Sequence, residues 1–192
     1  MGKTEKGGTT KMLAQNNEPD IFPVQTVAPW CFCCGQENPL GLKLRFSRDT
    51  DTRIFTGLTI PEYWSGWGKI MHGGFHGILL DEITSWVAFG LLGESSFMTK
   101  KIQVEYHSPV YIGQYVQVVG ELVENNERTI VASGEIRDEK DTLISQATSI
   151  MVRIRPEHMA MHIPKGDLPI QLTGIKGSEG PYELQIKQGG VL

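Results

Sequence analysis

The chain has 192 residues, with 18 Lys+Arg against 22 Asp+Glu for a formal net charge of −4, 40% hydrophobic residues and 22 Gly. This length allows one domain with extensions or two very small ones, and the composition is that of a globular protein, which excludes a disordered, collagenous or coiled-coil chain. The acidic balance without a basic stripe argues against a nucleic-acid binder, and the longest apolar run, Trp86 to Leu92, is far short of the about 20 residues a membrane span needs.

Residues 1–29 are polar, aperiodic and of zero net charge, and without an apolar h-region they predict a tail rather than a secretory signal. All three cysteines fall between positions 31 and 34 and cannot form a disulfide framework across the chain, so a reducing cytoplasm is expected. Next, Leu42, Leu44 and Phe46 alternate with Lys43, Arg45 and Ser47, predicting a strand. After a turn at Asp49 to Thr52, Ile54 to Ile60 predicts a second. A helix is predicted from Gly74 to Leu91, with Leu79, Ile83, Trp86, Val87 and Gly90 at steps of three and four. Ile102, Val104 and Tyr106 alternate with Gln103, Glu105 and His107. Tyr115 to Val123, Thr129 to Arg137 and Leu143 to Ile154 follow as strands joined by short polar turns, which implies antiparallel pairing. From Pro156 onward periodicity is lost, so residues 156–192 predict an irregular C-terminal extension around a working domain of residues 30–155. One long helix with at least five antiparallel strands is an α+β plan, and a sheet serving a single helix must wrap around it to bury both surfaces.

The most informative segment is Met71-His72-Gly73-Gly74-Phe75-His76-Gly77-Ile78-Leu79-Leu80-Asp81-Glu82. Glycines cost helix stability, so three of them at a helix entry imply either a tight turn with close helix–sheet packing or close approach of a ligand to the backbone. Amides at a helix start are unpaired donors at the positive end of the dipole, suited to polarising a carbonyl.

This His-Gly-Gly entry with Leu79-Leu80-Asp81-Glu82 behind it and Tyr63-Trp64-Ser65-Gly66-Trp67-Gly68 before it resembles the hotdog-fold thioesterases of the PaaI-like (phenylacetate-type) superfamily. The Cys31-Phe32-Cys33-Cys34-Gly35 and Asn38-Pro39-Leu40-Gly41-Leu42 segments resemble the entry of one branch of that group, and Tyr106-His107-Ser108-Pro109-Val110 with Gly113 fits its central strand end. The resemblance covers about Trp30 to Ile154. It implies a hotdog fold, an antiparallel β-sheet wrapped around one central α-helix, and hydrolysis of an acyl-CoA thioester without a cofactor. It also implies site roles, with the motif His at His72, a carbonyl-polarising amide at Gly73, a general base or nucleophile at Asp81 with Glu82 its rival, and a hydroxyl at Thr99 that helps hold water. Relatives often carry an Asn six residues before the His, where this chain has Gly66.

Spacing adds a separate argument. Asp81 lies eight residues beyond Gly73, about 12 Å along one helix at 1.5 Å per residue. A general base must come within about 3 Å or act through one water. Amide and carboxylate must therefore come from different subunits, which makes a homodimer with composite active sites part of the expectation, with a dimer of dimers as a further step.

Remaining candidates are weighed against plainer roles. Gly74, Ser108 and Pro109 are expected near the substrate, His76 in the acyl pocket or packed, and Lys100 and Lys101 at the CoA phosphates or simply exposed. Cys31-x-x-Cys34-Gly35 has the form of a zinc knuckle, but a closed site needs four ligands and the chain has no second pair, so a buried turn and no metal are expected. The rival functions are a non-catalytic acyl-CoA-binding module, which would lose the acid, and an acyl-CoA hydratase/dehydratase. Trp86 stands fourteen residues after His72, where many such hydratases keep a Glu, and argues against the last.

Overall fold

Alternation of apolar and polar side chains builds most of the molecule. The computed structural model describes residues 20–21 and 29–155. Its elements run β1 (Asp20–Ile21), β2 (Ser47–Thr50), β3 (Arg53–Thr59), a 3-10 turn (Glu62–Trp64), β4 (Ser65–Trp67), β5 (Ile70–Met71), α1 (Gly73–Trp86), a π turn (Val87–Leu91), β6 (Phe97–Tyr106), β7 (Tyr115–Asn125), β8 (Thr129–Asp138) and β9 (Leu143–Arg153). In β8, Ile130, Ala132, Gly134 and Ile136 are buried while their neighbours are partly exposed, the period of a sheet covered on one face. The main sheet has the order β1-β2-β3-β7-β8-β9-β6, antiparallel throughout, and β4 and β5 form a separate hairpin.

Helix α1 lies across this sheet. His72 is its N-cap, with Nδ1 accepting from the Gly74 amide at 2.9 Å, a bond that offsets part of the about 1 kcal/mol each glycine costs relative to alanine. Burial of Leu79, Leu80, Ile83 and Trp86 supplies the rest of its stabilisation. Gly120, Gly134 and Ala147 sit side by side on β7, β8 and β9, and the first two leave room for the helix. A Cβ at Gly120 would lie 2.9 Å from Val87 Cγ2 and 3.0 Å from the Ile83 carbonyl oxygen. Two aromatic stacks close the ends of the core, Phe46 on Trp86 at 4.4 Å and Trp64 on Phe75 at 4.2 Å between centroids.

The expected first strand is displaced. Residues 42–46 are extended without a ladder, because Lys43 takes a left-handed φ of 56° while Leu42 and Leu44 donate their amides to Phe32 and Cys33. Leu44 and Phe46 still point inward, and regular pairing starts only at Ser47. The third strand starts at Phe97, earlier than its alternation indicated, with a bulge at Lys100 where pairing passes from Thr99↔Met151 to Lys101↔Ile150. Asp20–Ile21, placed by the sequence in a tail, pairs with β2. The rest of that tail and the C-terminal extension lie outside the described residues. Among the described residues no helix is long and apolar enough to cross a membrane.

Candidate active site

The site is built at the two ends of β6, the last strand in the sheet order. At its start, Thr99 Oγ1 donates to Asp81 Oδ1 at 2.9 Å. Both residues are half-buried. One carboxylate oxygen is thus held by the hydroxyl, which keeps its own lone pairs as acceptors. At the far end of the strand, Tyr106 Oη donates to the Gly73 carbonyl oxygen at 3.2 Å. Gly73 is the first helical residue and is exposed. Its N–H finds no acceptor among the described residues, as expected for the first turn of a helix. The structure thus brings Asp81 and Thr99 together and keeps both apart from Gly73 of the same chain.

The other expected site residues fall in several places. His72 serves the helix cap, and the cap occupies the Gly74 amide. His76 is buried, with Nδ1 2.9 Å from Ser145 Oγ and its ring edge-on to Tyr106. Burial holds its pKa below the usual histidine value, so it is packed as a neutral imidazole. Lys100, the bulge residue, and Lys101 are exposed on β6. The amides of His107 and Ser108 both donate to the Ile144 carbonyl oxygen, at 2.8 and 3.1 Å, which ends the strand, and Pro109 is exposed beyond it. Gly66 packs against the motif histidine, since a Cβ there would lie 2.8 Å from His72 Cα. No larger side chain fits at that position without moving the β4–β5 hairpin.

Glu82 turns away from the Asp81–Thr99 pair. Trp86 Nε1 donates to its Oε1 at 3.0 Å, and the Cys31 Sγ lies 4.0 Å from its Oε2. Burial, and then the nearby charge of Cys31, pushes its carboxyl up to about 7. Among the three thiols, Cys31 is the one whose pKa is lowered, by hydrogen bonds from the Cys33 and Cys34 thiols and from their backbone amides. Cys33 and Cys34 are pushed up, first by the bond each makes to Cys31 and then by burial. The sequence held no signal for this meeting, because 51 residues separate Cys31 from Glu82.

Residues 68–145 match the model of the thioesterase superfamily. The strand order and central helix described above are those of the hotdog fold. This is a hotdog domain similar to the thioesterase superfamily over the matched residues. Solved structures share its fold. A thioesterase superfamily protein has 22% identity over 72% of this chain and 68% of that chain, with a TM-score of 0.61. The hypothetical thioesterase protein of Streptococcus pneumoniae TIGR4, solved with coenzyme A, has 19% identity over 58% and 85%, with a TM-score of 0.53. The E. coli PaaI protein from the phenylacetic acid degradation operon has 16% identity over 59% and 81%, with a TM-score of 0.54. No curated protein matches the chain.

Proposed function

We propose that this hotdog domain is a PaaI-like acyl-CoA thioesterase working as a homodimer with composite active sites. The observation that carries the reading is the placement of two half-sites at opposite ends of one sheet edge. Asp81 is tied to Thr99 at the start of β6, and Gly73 to Tyr106 at its end. Antiparallel pairing of two β6 strands about a two-fold axis, centred between Ile102 and Gln103, sets Thr99 opposite the partner subunit's Tyr106. The Asp81 carboxylate then faces the partner subunit's Gly73 amide. Exposed Met98 and Tyr106 on β6, with relative exposures of 61% and 56%, are covered by such an edge-to-edge contact.

In this arrangement the Gly73 N–H, at the positive end of α1, polarises the thioester carbonyl and holds the oxyanion as it forms. Asp81 acts as general base. Its Oδ1 is engaged by Thr99, so Oδ2 takes a proton from a water that donates its second hydrogen to Thr99 Oγ1. That water attacks the carbonyl carbon, the tetrahedral intermediate collapses, and the thiolate of CoA leaves with the proton returned through Asp81. Lys100 and Lys101 stand exposed on the same strand and serve the CoA phosphates. The coenzyme A in the pneumococcal structure supports this class of substrate. The test is hydrolysis of a panel of short, aromatic and long acyl-CoA esters, followed by detection of the released thiol. Turnover above the no-enzyme rate on at least one class is expected. A folded dimer inert on every class, or one that binds acyl-CoA without turning it over, overturns the reading.

A further inference from the structure

We propose that Cys31, Cys34 and Glu82 bind a thiophilic divalent cation of the Zn2+ type, which staples the loop of residues 29–46 to helix α1. The proposal is independent of the hydrolytic reading. One ligand atom from each of the three lies within 4.8 Å of the others, and Cys31 Sγ is 4.0 Å from Glu82 Oε2. A tetrahedral zinc with Zn–S near 2.3 Å and Zn–O near 2.1 Å sets its ligand atoms about 3.5–3.8 Å apart, so a contraction of about 1 Å or less closes the set.

The loop is a tight hydrogen-bonded turn, in which the Gly35 amide donates to the Cys31 carbonyl oxygen at 3.0 Å. Only glycine fits at that turn, since a Cβ on Gly35 would lie 2.4 Å from both the Cys31 nitrogen and the Pro29 carbonyl oxygen. The carboxylate is pre-aimed as well. Trp86 Nε1 holds Glu82 Oε1 and leaves Oε2 toward the sulfurs, the outer-shell arrangement that orients metal ligands. Among the described residues no Lys or Arg forms an ion pair with Glu82. Two sulfurs and one oxygen suit zinc rather than magnesium or calcium. The sequence count considered only a second cysteine pair, whereas the fold brings a helix carboxylate beside the two cysteines.

The test uses the full chain, reduced and stripped of metal, titrated with Co2+ and then with Zn2+. A thiolate-to-cobalt charge-transfer band saturating at one equivalent and bleached by Zn2+ is expected. Cys34→Ser should weaken Co2+ binding by at least about 100-fold and Glu82→Gln by at least about 10-fold, since removing a ligand costs no less than removing an outer-shell partner. If Cys34→Ser does not fold, the wild-type titration and Glu82→Gln decide. Absence of the band in folded wild-type protein, or unchanged affinity in Glu82→Gln, overturns the proposal.

Discussion

At Asp81 the feature that carries the proposed role is a single hydroxyl bond, which engages one carboxylate oxygen. In the proposed mechanism, replacing the carboxylate removes an interaction needed in the transition state and little of what binds substrate. Asp81→Asn should therefore lower kcat by at least about 100-fold with KM within a few fold. Glu82→Gln should be much milder, because that side chain is committed to Trp86 and the cysteine loop. Equal losses in the two variants, measured by steady-state kinetics, would refute the assignment. His76 provides a second test of residue roles. Burial lowers its folded pKa, whereas an unfolded histidine takes a proton near pH 6.5. Below that pH the unfolded chain binds the proton and the native one does not. The stabilising contribution is therefore present above about pH 6.5 and is lost as pH falls toward the folded pKa. Thermal melts should show the wild type losing more stability than His76→Gln between pH 7 and pH 5. Parallel curves would count against a buried neutral imidazole. Spacing along the helix separates Asp81 from Gly73 in the sequence itself, but whether His76 faces substrate or core depends on Ser145, which is 69 residues away and leaves no trace in local sequence.

Helix α1 and its sheet meet at a surface set by missing side chains. At Gly120 an added Cβ would press on the Ile83 carbonyl oxygen at 3.0 Å, which is backbone and cannot turn aside. Gly120→Ala should cost about 1–3 kcal/mol through overpacking. At Gly134 the nearest atoms are side-chain methyls of Ile83, Leu80 and Thr84, at 3.1 to 3.2 Å. There a small repacking cost is offset by the about 0.4–1 kcal/mol gained when a glycine leaves the unfolded chain, so Gly134→Ala should stay within about 1 kcal/mol of wild type. Urea titrations would rank the two, and the reverse order would mean that the helix is not held at this distance. The strands carrying these glycines were legible in the sequence, because one covered face imposes a strict period of two, as in the buried Ile130, Ala132 and Ile136 of β8. The short β4–β5 hairpin and the loop of residues 42–46 were not. A hairpin with strands of three and two residues shows no period. The alternation of Leu42, Leu44 and Phe46 reflects burial under loop hydrogen bonds rather than a sheet ladder.

For the whole molecule, the question is whether one chain can complete a site. Gly73 and Asp81 sit on one continuous helix, about 12 Å apart along its axis by the rise per residue, so in the proposed arrangement an intact monomer holds two halves of different sites. Gly73→Pro tests this cleanly. Proline is well accepted at the first helical position, where the missing N–H bonds nothing in the fold. His72 before it already has φ −62° and ψ 133°, the extended conformation that a residue preceding proline prefers. A Cβ at position 73 meets only the Tyr106 ring, at 3.7 Å, an ordinary contact. The variant should melt close to wild type and be nearly inactive, as should Asp81→Asn, each homodimer lacking one half of both sites. Mixed after dissociation and reassembly, the two variants should regain about a quarter of wild-type activity, because half of the randomly paired dimers are mixed and each of those keeps one intact composite site of two. Activity and sedimentation measured on the same mixture settle the matter. A fully active monomer, or verified heterodimers with no recovery, would rule out sites shared across the β6 edge.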